Sequence, residues 1–304
     1  MEAPDVIAAR DLTKYYGSHL GIKDVSFDVK AGEIFGFLGP NGAGKTTTIR
    51  ILLDLLRPDS GRVELLGLDI KNQSIDIRKE VGYLPGDFPA FGYLSILGLF
   101  RLLSKIRQFP LEEDSPLFRR FDLSEHDLKR KLKALSHGTL QKVGIIQALI
   151  HRPRLLILDE PTTGLDPLMQ EVVYEILSEE QSRGTSILFS SHNLDEVEKL
   201  CDRVAIIRKG RIAGLESLEV MKAKAGQIVE CNLQDPLPEI DIPGADLIRQ
   251  QGARFTFRFR GDINILLNQL SGFNVKDLSI SKPDLNELFL DYYQDQNRTG
   301  SDIS

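Results

Sequence analysis

EIFGFLGPNGAGKTTTIRILLDLL occupies residues 33–56 and decides the fold. An apolar, β-branched and aromatic run, EIFGFL, leads into the glycine-rich GPNGAGKT at 39–46, and the apolar spacing of TTIRILLDLL after it is helical. A glycine-rich loop between a strand and the first turn of a helix is a P-loop. Gly39, Asn41, Gly42, Ala43 and Gly44 form a loop whose backbone N–H groups can close round phosphates. Lys45 can reach β and γ phosphate oxygens, Thr46 can offer its hydroxyl to magnesium, and Thr47 can bond a further phosphate oxygen.

Two other strand ends complete this chemistry. RLLILDEP at 154–161 is a buried strand that finishes on adjacent carboxylates, and such an end lies beside the P-loop in a parallel sheet. Asp159 is placed to hold magnesium, and Glu160 to polarise the water that attacks the γ-phosphate. TSILF runs into SSH at 190–192, which brings His192 to the same edge, within reach of the γ-phosphate or the attacking water. The hydroxyls of Ser190 and Ser191 are expected to support that loop.

LSHGTLQKVG at 135–144 is a polar turn feeding an apolar helix. Ser136 is either a plain N-cap or an extra donor to an anion held at the helix N-terminus.

The five ordered motifs over residues 6 to about 222 resemble the nucleotide-binding subunit of an ABC transporter. The resemblance implies a P-loop NTPase core of ABC type, α/β in class, with a helical subdomain and a small α+β domain after it. It implies ATP and Mg2+ as ligands and ATP hydrolysis coupled to transmembrane transport. In that family an LSGGQ-type turn caps the γ-phosphate of ATP held by the other subunit. Ser136 and Gly138 match this turn, whereas His137 and Thr139 depart from it. Tyr16 of KYYG matches the residue that stacks on adenine, with Tyr15 as the alternative. Asp166 of TGLDP matches the loop that crosses the dimer interface. Where the family usually carries a glutamine touching magnesium, YLPGD at 83–87 has Gly86, with Asp87 displaced by one residue.

The implied partners are a membrane permease and a second copy of the chain or a homologous ATPase, and the implied location is peripheral, on the cytoplasmic face of the cell membrane. LNELFLDYY near the C-terminus resembles the extension of ATPases that serve drug, antibiotic or lipid exporters. A soluble ABC ATPase acting as an ATP-gated interaction module in translation or DNA repair is the other reading. Its usual doubled ATPase unit or long coiled-coil insertion is not visible in the sequence.

Composition agrees with this frame. The net charge is −6 over 304 residues and the isoelectric point is near 5.5, so general nucleic-acid binding is not expected. Cys201 and Cys231 lie far apart without a Cys/His cluster and are expected to be packing residues in a reducing compartment. MEAPDVIAARDLTK carries charges where a signal peptide needs an apolar core, and no apolar stretch reaches the ~18 residues of a membrane span.

Runs at 25–29, 33–38, 81–84, 155–158, 185–190 and 203–208 alternate with helical patterns, which predicts a largely parallel core sheet. The ATPase domain is expected over 1–224, with a helical insertion over about 88–150. Leu97, Phe100, Leu103 and Ile106 form its stripe, and an irregular EEDS interval follows. FPAFGYL at 88–94 is either a permease dock or part of that insertion's core. A C-terminal accessory domain is expected over 225–304. Within it Phe255, Phe257 and Phe259 alternate with arginines as in a half-buried strand, and helices near 262–270 and 284–293 flank a strand near 274–280.

Overall fold

Strands Ile34–Leu38, Leu155–Asp159 and Ser186–Ser191 are buried along their whole length, the pattern of parallel strands covered on both faces. They lie at the centre of the first of two compact units, Met1–Leu215 and Glu216–Ser304, in a computed structural model that describes residues 3–90, 92–234 and 242–281. Phe91, Pro236, Pro238, the helix expected near 284–293 and LNELFLDYY lie outside the described residues.

In chain order the strands of the first unit are β1 (Asp5–Tyr16), β2 (His19–Lys30), β3 (Ile34–Leu38), β4 (Ser60–Leu65), β5 (Leu68–Asp69), β6 (Val81–Leu84), β7 (Leu155–Asp159), β8 (Ser186–Ser191), β9 (Arg203–Arg208) and β10 (Arg211–Ser217). The core sheet has the order β10-β9-β3-β8-β7-β6, with every pair from β9 to β6 parallel. Its register sets Leu38 opposite Ser191 and Asp159 opposite Ser190. Gly39, Glu160 and His192 therefore leave the sheet at one edge.

Five of the six expected runs form this sheet. Residues 25–29 do not: they belong to β2, in an antiparallel sheet ordered β2-β1-β4-β5. Burial alternates along β2, and its inward Phe27 stacks on Phe35 of the core sheet with ring centroids 5.5 Å apart. A one-sided strand of this kind is satisfied by antiparallel neighbours.

Helix α1 (Lys45–Leu52) follows β3, and α2 (Ser74–Glu80) precedes β6. The insertion then supplies α3 (Ile96–Arg107), α4 (Pro116–Arg120), α5 (Glu125–Leu128) and α6 (His137–Leu149), and serines 95, 115, 124 and 136 cap these four helices. α3 buries Ile96, Leu99 and Phe100, whereas Ile106 is 67% exposed. At about 100° per residue Ile106 stands about 120° round the helix from Phe100, off the stripe expected for it. The EEDS interval is tied down, because Arg101 grips Glu113 through two hydrogen bonds of 2.6 and 2.9 Å and Ser115 caps α4. α7 (Pro167–Ser182) and α8 (Leu194–Leu200) flank β8 in the chain.

The second unit contains α9 (Leu218–Ala225), β11 (Gln227–Leu233), β12 (Ala245–Gln251), β13 (Arg254–Phe259), α10 (Ile263–Leu270) and β14 (Val275–Ser281). Its antiparallel sheet is ordered β12-β13-β11-β14. Phe255, Phe257 and Phe259 point into a core shared with Val229, Cys231, Leu266 and Leu270. On the opposite face Arg260 donates to Asp246 at 2.6 Å. Cys201 and Cys231 are both free and buried. No helix among the described residues is long and apolar enough to cross a membrane.

Candidate functional site

The turn from β3 into α1 is made by Gly44, whose φ of 115° is closed to side chains and whose would-be Cβ falls 2.7 Å from Ile22. This geometry aims Lys45 back across the loop. Only 5% exposed, its ammonium donates to the carbonyls of Gly39 at 2.6 Å and Pro40 at 3.3 Å. It also pairs with Glu160 Oε1 at 3.0 Å. Beside it the Thr46 hydroxyl donates to Asp159 Oδ2 at 2.8 Å. Tyr16 is exposed, with its hydroxyl 3.3 Å from that of Thr47, while the neighbouring Tyr15 gives its backbone N–H to Asp59.

At the end of β7, Glu160 adopts a φ of 50°, unfavourable for a residue with a side chain. Its N–H is held by the carbonyl of Ser190 at 3.2 Å and the hydroxyl of Ser190 at 3.1 Å. The same hydroxyl donates to Asp159 Oδ1 at 2.6 Å, so Ser190 braces both acids. Glu160 Oε2 lies 3.1 Å from His192 Nδ1. Burial pushes the Glu160 carboxyl up, but Lys45 and His192 outweigh it and hold the group below the usual carboxylate range.

The structure therefore brings together Lys45, Thr46, Asp159, Glu160 and His192, and sets Tyr16 at the first turn of α1. Ser136, Gly138 and Asp166 are not hydrogen-bonded to that group among the described residues. Ser136 caps α6 by accepting the N–H of Thr139 at 3.3 Å, and Asp166 caps α7 by accepting that of Met169 at 3.0 Å. The His137 ring packs on Gly164 of the TGLDP loop, where a Cβ would fall 2.5 Å from it. Gly86 stands next to Asp159, since a Cβ there would lie 3.4 Å from its Oδ2, and Asp87 is exposed.

FPAFGYL is divided by the fold. Phe88 is 7% exposed and packs on Gly144 of α6, whose missing Cβ would come within 2.9 Å of its ring, so Phe88 is core and does not offer a docking face. Tyr93 is 82% exposed, with Lys133 over its ring.

Sequence reasoning missed two buried polar residues of the site. Gln141 donates to the carbonyls of Glu160 at 3.3 Å and Pro161 at 2.9 Å. Glu196 accepts hydrogen bonds from Thr162 and Ser191. No local pattern marks either, because Gln141 reaches carbonyls 19 and 20 residues along the chain and Glu196 joins the nearby Ser191 to Thr162, 34 residues before it.

The family profile described as ABC transporter matches residues 22–163. The bacitracin transport ATP-binding protein BcrA of Bacillus licheniformis is 36% identical over 236 residues, covering 76% of each chain. The Nod factor export ATP-binding protein I of Cupriavidus metallidurans is 34% identical over 265 residues, 84% of this chain and 86% of that one. Among solved structures, an ATP-binding subunit of an ABC transporter superposes with a TM-score of 0.66 at 31% identity, over 72% of this chain and 92% of the other. A dimeric ATP-binding cassette bound to ADP and Pi shares the fold, with a TM-score of 0.64 at 22% identity over 70% of this chain and 98% of its own.

Proposed function

Because the chain belongs to the ABC transporter ATP-binding family, we propose that it is the ATP-hydrolysing motor subunit of an exporter, with Glu160 as general base. The observation that carries this is the Glu160 carboxylate, held between Lys45 and His192 where β3, β7 and β8 end together. A triphosphate entering the loop competes for the Lys45 ammonium. Once Lys45 turns to the β and γ oxygens, Glu160 loses the larger of the two neighbours that depress its pKa and becomes a stronger base. One carboxylate oxygen then takes the proton of the attacking water while His192 orients the other. Tyr16 stacks on the adenine.

The Thr46 hydroxyl and the Asp159 carboxylate, already 2.8 Å apart, form a hard oxygen pair suited to Mg2+. Among the described residues no cluster of three or more acidic, histidine or cysteine side chains could hold a metal alone, which fits a cation that also needs phosphate oxygens. Bound there, Mg2+ neutralises phosphate charge.

Two copies of the subunit enclose ATP, with Ser136 and Gly138 of each serving the nucleotide held by Lys45 of the other and Asp166 crossing between them. ATP then acts by binding the closed pair better than the open one. The pair drives a separate membrane permease from the cytoplasmic face, and the two relatives named for bacitracin transport and Nod factor export support an export role. The second unit carries none of the phosphate-binding motifs and is assigned to steadying the dimer.

Glu160→Gln tests the central assignment. The amide cannot take a proton, so ATP binding persists while turnover drops at least ~100-fold. Near-normal turnover would remove Glu160 from the role.

A further inference from the structure

Glu196 is a buried carboxylate whose hydrogen-bond partners are hydroxyls. It lies on α8, 8% exposed, and has no ion pair among the described residues. Its Oε1 accepts from the Thr162 hydroxyl at 2.7 Å and its Oε2 from the Ser191 hydroxyl at 2.5 Å. Burial first, and then the charge of Glu196, push up the phenol of Tyr174 on α7. Sinking an unpaired carboxylate into a core is costly, and stability of α8 does not require it, since Leu194, Val197 and Leu200 already supply the apolar face.

Besides the Tyr174 phenol beside it, Glu196 holds the hydroxyls of Thr162 and Ser191, and these two explain its presence. Thr162 stands two residues after Glu160, and Ser191 immediately precedes His192. The Ser191 hydroxyl also accepts the N–H of Asn193, the cap of α8, which ties the His192 loop to the helix that carries Glu196. One carboxylate thus spans the loop that carries the base and the loop that carries its histidine, behind the 3.1 Å contact between them.

We propose that Glu196 is a positioning residue for ATP hydrolysis, a strut that holds Glu160 and His192 in the register needed to orient the attacking water. It touches neither nucleotide nor water. The inference rests on the roles given above to Glu160 and His192.

Three substitutions separate reach from charge. Glu196→Gln keeps the reach and can bond both hydroxyls if Ser191 accepts from the amide and turns its own proton to the carbonyl of Asn193, 3.2 Å away. Glu196→Asp keeps the charge but is one methylene short of spanning both, and Glu196→Ala removes the strut. Each is measured for kcat, for Kd of ATP by a fluorescent analogue without turnover, and for Tm. A strut predicts kcat lowered about 10–100-fold in the Asp and Ala variants with Kd within about twofold, the scale of a small misplacement of reacting groups. Glu196→Gln should recover most of the loss. Thr162→Val and Ser191→Ala, each cutting one end, should lower kcat in the same way, and they decide the matter if the Asp and Ala variants fail to fold.

The inference is overturned if kcat stays within about twofold of the parent, if kcat and ATP affinity fall in parallel, or if the Gln variant is as impaired as the Asp variant. Glu160→Gln run alongside distinguishes the failures. If that variant is inactive while Glu196→Asp is normal, only the strut is wrong; if it turns over normally, the reading of the site itself has failed.

Discussion

Acidification from about pH 7.5 to about pH 5 should cost the first unit about 2 kcal/mol through a single side chain, His151. The ring follows the C-terminus of α6 beside Phe109, with centroids 6.2 Å apart, and Arg107 of α3 bonds both its Nε2 and the carbonyl of Val81. Burial, and then the Arg107 charge, pull its pKa from the ordinary 6.5 down to about 4. The unfolded chain takes up a proton near 6.5 and the folded chain only near 4, so between these values the unfolded state binds more protons. Stability therefore falls as pH falls through that window and levels off below about 4. At pH 5 the two states' proton-binding factors differ about 30-fold, or about 2 kcal/mol, and at pH 7.5 the difference is under about 0.1 kcal/mol. The perturbation that isolates the effect is His151→Gln, which keeps an acceptor for Arg107 and does not titrate. The chain has no tryptophan, so urea unfolding is followed by far-UV circular dichroism at both pH values. The parent should lose about 2 kcal/mol more than the variant. Parallel losses would refute the reasoning.

Phe88→Ala should destabilise the first unit by about 3–5 kcal/mol, as expected for truncating a buried aromatic, and lower Tm whether or not a permease is present. A Tm close to that of the parent, with loss of membrane association alone, would restore the docking reading. The trans role of Ser136 is tested in mixed dimers in a Glu160→Gln background, with Lys45→Ala in one protomer and Ser136→Arg in the other. Both defects then fall in one composite site, and one ATP per dimer stays occluded; the converse dimer, with both changes in one protomer, should occlude less. The reverse order would leave Ser136 as the cap of α6 alone.

The nucleotide chemistry was legible along the chain because it is local. GPNGAGKT needs only its glycines, its lysine and the turn from strand to helix, and LLILDE and ILFSSH announce buried strands that end on two carboxylates and a histidine. The alternation of Phe255, Phe257 and Phe259 likewise revealed a half-buried strand without knowledge of its partners. Partnership itself was not legible. Residues 25–29 read like any other strand run, and only the packing of Phe27 on Phe35 shows that they roof the core sheet from an antiparallel one. Phe88 could have been surface or core until Gly144, 56 residues later, opened the space that takes its ring. Glu196, Gln141 and His151 look like ordinary helix or loop residues. Their roles are set by groups tens of residues away, Glu196 by Thr162, Gln141 by the Glu160 and Pro161 carbonyls and His151 by Arg107. Backbone periodicity reports which face of an element is apolar, whereas hydrogen-bond partners and pKa shifts depend on distances of a few ångströms that exist only after the strands have paired.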